Sequence, residues 1–480
     1  GSKITDLHKH YVDKLTIPSP TGKSPLKRVA EVLDCWFESG SMPYAQQHYP
    51  FENKEHFEAT FPADFIAEGL DQTRGWFYTL VVLGAALFNR NPFQNVVVNG
   101  LILAEDGQKM SKRKKNYPDP MLIVDTYGAD ALRLFLLSSQ VVRAEDLKFS
   151  ENGVKEILRG VMIPLWNAYS FFVTYANVDN YTPVPGATAP KNPANPLDRW
   201  ILSSLSQMVE EITVEMENYN LQKAANRFAK FIDDLTNWYI RRSRRRFWKS
   251  QNDSDKNEAY AVLHHVLLVF AEAAAPFIPF ITEEIYRNLR TAEMPQSVHL
   301  CDYPASDDSI RDPYLEAQME LTMNTVSLGR FLRTQNNLKV RQPLAKAIVV
   351  AAGEKRQMLQ ETAWIIQDEL NVKIIEFSDD EDALVVRSAK ANFKALGGRL
   401  GKNMKEAANL ISQFSSKEIG EILKGAAQTI TLTDGSQCAV AAGDLIVKRD
   451  ELPGVTVATG NGVTIALSTE ITPELEAEGF

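Results

Sequence analysis

Three groups of residues in this chain have the types and spacing that chemistry needs. The first is Gly107-Gln108-Lys109-Met110-Ser111-Lys112-Arg113, in which two lysines flank a serine. Ammonium groups on a loop that Gly107 lets move could neutralise a pyrophosphate as charge develops during attack at an α-phosphate. Lys109 to Lys115 holds five cations in seven residues, so by charge alone a solvated basic loop is the better reading. The second group pairs the carboxylates of Glu68 and Asp71 with the indoles of Trp36 and Trp76. The acids suit a cationic amino group and ribose hydroxyls, and the indoles could wall an apolar side-chain pocket. Taken singly, the tryptophans fit a core and the acids fit helix N-caps. The third group runs from Asn237 to Lys249. Arg241, Arg245 and Lys249 recur at i, i+4, i+8 on one helical face, and Trp238, Arg242 and Arg246 form an adjacent row. Cations beside aromatics suit phosphates and unstacked bases. A solvated polar face with core tryptophans is the competing reading.

The elements that must hold these groups change character along the chain. Residues 1–30 mix charge, Pro and Gly and read as a connector. Over 31–140 apolar runs alternate with helical patterns: a helix over 72–88, then Val96-Val97-Val98 and Leu101-Ile102-Leu103 as a buried strand. That alternation predicts an α/β sheet with crossovers. Residues 141–195 read as a helical segment ending in a linker, since 179–196 is rich in Pro, Asn and Thr. Residues 196–344 read as an all-α bundle. Ile201, Leu205, Met208 and Ile212 recur every three or four residues, and further helices are expected over 221–249, 255–274, 280–291 and 313–335. Residues 345–480 read as a small α+β domain with helices near 389–413 and 416–424. Hairpins are expected at Asp434-Gly435 and at Gly460-Asn461-Gly462.

At 480 residues the chain is too long for one core. With 44% hydrophobic and 24% charged residues it is not a disordered protein. The net charge of −9 gives no hint of nucleic-acid binding, although a local basic surface can bind phosphates on an acidic protein. The three cysteines are far apart and form no CxxC pair, which argues against a zinc knuckle and excludes a disulfide framework. That pattern reads as a reducing, cytoplasmic compartment. The apolar run from Tyr78 to Phe88 is too short to span a bilayer. Gly1-Ser2 resembles a cloning scar. Gly397-Gly398-Arg399-Leu400-Gly401-Lys402 is one residue short of a phosphate loop and reads as a turn or helix break. His264-His265, in an apolar helix, read as packing residues.

Lys109-Met110-Ser111-Lys112-Arg113 resembles the KMSKS loop of class I aminoacyl-tRNA synthetases. The match continues through Asn116-Tyr117-Pro118-Asp119-Pro120 and Tyr127-Gly128-Ala129-Asp130-Ala131-Leu132-Arg133. Asp34-Cys35-Trp36-Phe37-Glu38-Ser39-Gly40-Ser41 and Glu68-Gly69-Leu70-Asp71-Gln72-Thr73-Arg74-Gly75-Trp76-Phe77 resemble two strings of the isoleucyl branch, and the loop variant resembles its eukaryotic-type members. Leu197-Asp198-Arg199-Trp200, Asn237-Trp238-Tyr239 and Ala275-Pro276-Phe277-Ile278-Pro279-Phe280 are similar to the anticodon domain of the same class. Lys339-Val340-Arg341-Gln342-Pro343-Leu344 also matches, with no role implied.

The resemblance implies a multidomain protein: half of a Rossmann-like catalytic domain over 31–140, a stem-contact segment over 141–195, an anticodon bundle over 196–344 and a truncated C-terminal α+β domain. It implies catalytic roles for Lys109, Ser111 and Lys112, and ATP binding at Lys109, Met110, Lys112, Asp71, Gly100 and Ile102. Isoleucine would be held by Glu68, Gly69, Asp71, Gln72, Trp36 and Trp76. The RNA contacts would be Arg241, Arg245, Lys249, Trp238, Arg242 and Arg246, with tRNA-Ile as partner of a monomer. ATP with Mg2+ would be the co-substrate, and no zinc is expected. None of the seven histidines forms the family's His-x-Gly-His motif, so the chain reads as a fragment lacking the first catalytic half and the editing domain, and is expected to be inactive alone. A valyl or leucyl relative, and a non-catalytic tRNA-binding module, are the competing readings.

Overall fold

The computed structural model describes residues 6, 8–31, 34–111, 113–184, 190–249, 253–379, 385–451 and 454–479. The chain divides into two compact units, Gly1–Ile310 and Arg311–Phe480.

The first unit begins its α/β part with strand Ala63–Gly69, which passes through a 3-10 turn, Leu70–Arg74, into helix Trp76–Phe88 and on to strand Phe93–Asn99. The two strands pair in parallel with Gly69 opposite Asn99, so their carboxyl ends lie side by side. The expected helix over 72–88 thus starts later, because Gly75 separates the 3-10 turn from the helix. Ile66, Phe77 and Leu80 form the local core, with Trp76, Phe93 and Val98 packed on it. The strand at 96–98 is only half as buried as its composition suggests. Among the described residues its sheet has two strands, so Val97 is covered while Val96 stays 43% exposed. Ile102–Leu103 pairs with Leu147–Lys148 rather than extending that sheet.

Helix Ala129–Leu137 then ties this part to the bundle within the same unit. Phe280 and Ile281 donate their backbone N–H groups to the Asp130 carboxylate at 3.1 and 2.7 Å. Those amides open helix Pro279–Leu289, where the unsatisfied N–H groups and the helix dipole both favour an anion. One turn on, Arg133 donates to the carbonyls of Phe277 and Pro276 at 3.1 and 3.0 Å. The strings Tyr127–Arg133 and Ala275–Phe280 are therefore the two halves of one joint.

The bundle has the helices its periodicity predicts. Ile201, Leu205, Met208 and Ile212 on helix Pro196–Glu217 are no more than 2% exposed. The helix expected over 221–249 is interrupted: α-helix Leu221–Asp233 widens to a π-helix at Asp234–Ile240 before α-helix Arg241–Trp248. Each residue in the widened turn advances less around the axis, so faces extrapolated across it at the α period fall out of phase. Asp198 meets two residues of this segment. It is fully buried, accepts from Tyr239 Oη at 2.8 Å, and forms a two-pronged ion pair with Arg246 at 2.7 Å on both oxygens. No helix among the described residues is long and apolar enough to cross a membrane.

In the second unit, helix Pro313–Gln335, which periodicity alone would place in the bundle, packs on a four-stranded sheet ordered Val455–Gly460, Val463–Ser468, Leu344–Val350, Val372–Ser378. Its Arg333 is buried and donates to the carbonyls of Lys339, Gln342 and Leu370. The hairpin at 460–462 turns through Asn461 and Gly462, both at positive φ, as a two-residue loop requires. The other hairpin pairs Gln428–Thr431 with Gln437–Val440. Residues 389–391, expected to open a helix, instead finish strand Val385–Ala391. The helices are Phe393–Leu400, Met404–Ser412 and Ser416–Leu423, around a core containing Leu396, Ala407, Ile419 and Val440. Gly401 lies at the break between the first two, as the failed phosphate-loop pattern suggests.

Removing Asp198 would strand a buried guanidinium and a buried phenol. Asp198→Ala is expected to lower unfolding stability by about 3–5 kcal/mol, read as a fall in the urea midpoint. Arg245→Ala, on the exposed side of the same helix, should shift it by less than about 0.5 kcal/mol. Equal effects of the two would show that the pair does not hold the bundle together.

Candidate functional site

The carboxyl ends of the parallel strands bring most of the candidate pocket residues into one cluster. Glu68 and Gly69 end the first strand, with the Gly69 N–H donating to Glu68 Oε1 at 3.0 Å. Asp71 follows in the 3-10 turn, and its Oδ1 lies so close to Gly69 that a Cβ there would come within 2.7 Å of it. Gln72 turns back, and its Oε1 accepts from the Trp76 N–H at 3.0 Å at the start of helix Trp76–Phe88. That bond satisfies one of the orphan donors of the helix, so the glutamine and not an acid is its cap.

Gly75 is the hinge of this arrangement. A side chain there would meet Gln72 Oε1 and Trp36 Cη2, each at 2.8 Å. The Trp36 indole therefore lies against bare backbone, which only glycine leaves open. Trp76 donates its Nε1–H to the Ser39 carbonyl at 3.0 Å, fastening helix Cys35–Gly40 to the helix that begins with Trp76. Trp36 is 40% exposed and Trp76 part-buried. Trp76 packs on the local core without being fully buried, Trp36 is exposed, and Glu68 and Asp71 keep exposed carboxylates. Two acids, an amide and two indole edges thus converge at one sheet edge, a layout able to take a cationic amino group beside an apolar side chain.

Beyond the second strand, Gly100 and Ile102 have structural tasks of their own. Gly100 donates its N–H to the Val141 carbonyl at 2.7 Å, and a Cβ would fall 2.0 Å from the Glu145 carbonyl oxygen. Close passage of another backbone is what requires glycine there. Ile102, 38% exposed, sits in the short strand that launches the basic loop.

The loop is folded back on itself. Lys109 bridges to Leu103, and the Ala104 N–H donates to the Gln108 carbonyl at 2.9 Å. Asn116 closes it: its Oδ1 accepts from the Ser111 N–H at 2.9 Å and its Nδ2 donates to the Lys109 carbonyl at 3.2 Å. Lys114 is drawn back onto Gln108 Oε1 at 2.7 Å. Lys109 is exposed, Met110 and Ser111 half-buried. Lys112 lies outside the described residues. Sequence reasoning misses the staple by Asn116, whose only signal is a short amide side chain five residues after the serine.

The RNA-facing candidates separate into two sets. Arg246 is buried and committed: besides Asp198, its Nε donates to Asp255 Oδ1 at 2.8 Å, and these carboxylates hold it in the charged form. It is withdrawn as a nucleic-acid contact. Trp238 is 7% exposed and lies under Arg241, whose guanidinium is 5.8 Å from the ring centre, so it offers no face to a base. Arg242 is half-buried. Lys249 is exposed but paired with Asp255 at 2.8 Å and Asp253 at 3.2 Å, which raise its pKa. The outward face of the helix is Arg241, Arg244, Arg245 and Trp248, at i, i+3, i+4, i+7. Trp248 is 56% exposed, and its Nε1–H donates to Tyr175 Oη at 2.8 Å. Rows read only at i, i+4, i+8 pass over Arg244 and Trp248, which lie at i+3 and i+7 from Arg241.

With this geometry in place, comparison with known proteins is direct. Residues 1–148 match the family described as tRNA synthetases class I (I, L, M and V), and residues 198–349 match the anticodon-binding domain of tRNA ligase. A Treponema denticola protein named isoleucine–tRNA ligase is 51% identical over 99% of this chain and 44% of its own length. Proteins of that name from Protochlamydia amoebophila and Treponema pallidum are each 50% identical over 100% of this chain, and over 46% and 45% of theirs. The chain spans less than half the length of the curated relatives it matches. Identity this high from end to end makes the chain a homologue of part of the class I aminoacyl-tRNA synthetases named isoleucine–tRNA ligase, with a class I synthetase domain followed by an anticodon-binding domain.

Proposed function

We propose that this chain is the part of an isoleucine–tRNA ligase that holds isoleucine, carries the mobile basic loop and docks tRNA-Ile. In the reaction, a carboxylate oxygen of isoleucine attacks the α-phosphorus of ATP, the bond to the β-phosphate breaks, and pyrophosphate leaves. A hydroxyl of the terminal tRNA ribose then attacks the activated carbonyl and displaces AMP. Glu68 pairs with the α-ammonium of isoleucine, Trp36 and Trp76 flank its branched side chain, Gly69 and Gln72 shape the pocket floor, and Asp71 takes ribose hydroxyls. Gly100 and Ile102 form the bed of the nucleotide. Lys109 and Lys112 meet the departing pyrophosphate, with Met110 and Ser111 setting their spacing. Mg2+ enters with ATP as its counter-ion. The protein works in the cytoplasm as a monomer.

The observation that carries this reading is the convergence of Trp36 and Gln72 on Gly75. An indole from a distant stretch of sequence and a local amide meet there, at the strand ends beside Asp71 and Glu68. The preference for isoleucine over a valyl or leucyl substrate rests on the branch of its relatives. One pocket separates isoleucine from valine by only about 150-fold, a value already established for isoleucyl-tRNA synthetases as a class, since one methylene is worth roughly 1–3 kcal/mol.

Isoleucine-dependent pyrophosphate exchange by the protein that carries this stretch is the direct test. Glu68→Gln is expected to raise KM for isoleucine about tenfold or more, with the KM for ATP little changed. Lys109→Ala should instead lower kcat about 100-fold. Exchange driven better by valine or leucine, or a Glu68→Gln enzyme with unaltered KM, would overturn the assignment.

RNA docking is testable on the 480-residue chain by filter binding of tRNA-Ile at two salt concentrations. Alanine at Arg241, Arg244 or Arg245 should weaken binding and reduce the salt slope by about 1 each. Loss of binding caused by Arg246→Ala alone, with these three without effect, would show that the outward face is not the one used.

A further inference from the structure

The bundle encloses a cavity of about 480 Å³ that neither the adenylate chemistry nor the arginine face uses. It runs between helix Pro196–Glu217 and helix Ser254–Ala274 and is closed by the extended segment before Ile310. Its walls are aliphatic, with Leu205, Val209, Leu268 and Ile310 among them, and no lysine or arginine of the described residues lines it. Two carboxylates do. Glu272 lies on the inner wall, with no hydrogen-bond or ion-pair partner among the described residues. Asp307 is exposed at the mouth, where Ser206 Oγ accepts from its N–H at 2.8 Å and donates to its carbonyl at 3.1 Å.

A second group in the cavity wall lacks a partner. Thr291 Oγ1 is buried and unbonded. Glu272 is half-buried, and a carboxylate in an aliphatic cavity with no partner among the described residues calls for a cation from a visiting molecule. Along helix Ser254–Ala274, His265 and Glu272 are two turns apart, about 10 Å of rise, and Asp307 acts electrostatically on His265. Two acids, one near His265 and one two turns along the helix from it, thus line one aliphatic cavity. That is the complement of a molecule with an ammonium at each end and methylenes between.

We propose that this cavity is a binding site for a linear aliphatic polyamine, one ammonium against Glu272, the methylene chain along the leucine and valine walls, and a second ammonium at Asp307. The proposal does not depend on the ligase reading, since it uses no residue of either site. The electrostatics of the cavity agree with it. Burial raises the Glu272 carboxyl to about 7, the behaviour of an acid that lacks a cation. The groups around it supply none: burial pushes His265 down to about 4 and also lowers His264, whose Nε2 lies 2.9 Å from the Leu289 carbonyl oxygen. Tyr286 and Cys301, which also sense Glu272, are raised and stay neutral; Arg290 acts on Tyr286, and Lys191 on Asp307 outside the mouth. An ammonium pairs with the ionised acid, so affinity rises as pH climbs through 7 and falls below it.

The test is isothermal titration of the RNA-free 480-residue chain with spermidine and with 1,4-diaminobutane in about 0.15 M salt, using n-butylamine as the one-ended control. Saturable binding of one spermidine is expected, weakened at least tenfold by Glu272→Gln and about tenfold on going from pH 8 to pH 6. Ala261→Phe, which fills the cavity, should abolish it; if that variant does not fold, Glu272→Gln still decides. No saturable heat from the wild-type chain, equal affinity in Glu272→Gln, or n-butylamine binding as tightly as spermidine would each overturn the proposal.

Discussion

The candidate pocket exists because two backbones lie closer to their neighbours than any side chain allows. At Gly75 the tip of the Trp36 indole and the Gln72 amide both reach within 2.8 Å of where a Cβ would sit. At Gly100 the Glu145 carbonyl occupies that space outright. The first approach carries an indole from one helix to the N-terminus of another. The second seats a segment from beyond the basic loop against the end of a strand. Everything else in the pocket follows from the parallel register, which sets Glu68 and Gly69 beside Val98 and Asn99. A methyl group at Gly75 would push Trp36 away from the acids without touching either.

The same economy of contact joins the sheet to the bundle. Asp130 and Arg133 lie one turn apart on a single helix, and each answers a need of the opposite sign. The carboxylate takes the free amides at the start of helix Pro279–Leu289, while the guanidinium takes the carbonyls just before it. Inside the bundle, Asp198 plays the corresponding part for Arg246 and Tyr239. A buried pair of this kind does not by itself add much stability, but it allows only one rotation of helix Arg241–Trp248. That rotation turns Arg241, Arg244, Arg245 and Trp248 outward. A chain of net charge −9 thereby presents a local cationic face.

How far the site is legible in the sequence differs from residue to residue. The signature strings locate Glu68, Asp71, Gln72, Trp36 and Trp76, and the fold brings these together: a local turn seats Glu68, Asp71, Gln72 and Trp76, while Trp36 arrives through a long-range contact at Gly75. The basic loop is equally plain, although Lys112 lies outside the described residues. Asn116 is invisible as a staple, since an amide that bonds backbone atoms five and seven residues earlier has no periodic signature. Arg246 and Trp238 do share one side of the helix with Arg242, as their spacing implies, but it is the inward side, because Asp198 on another helix takes the Arg246 guanidinium.

Read alone, the residues determined the chemistry on offer, the α/β to all-α to α+β succession and the bundle stripe Ile201, Leu205, Met208 and Ile212, because periodic burial and turn preferences are written in neighbouring positions. Only the folded chain decided which arginine is buried and which faces out, that helix Pro313–Gln335 packs on a sheet and not in the bundle, and that Glu272 and Thr291 line a cavity without partners among the described residues. Those outcomes turn on encounters between residues tens to hundreds of positions apart. Whether a charge finds its counter-charge across such a distance is settled by packing, which no local pattern encodes.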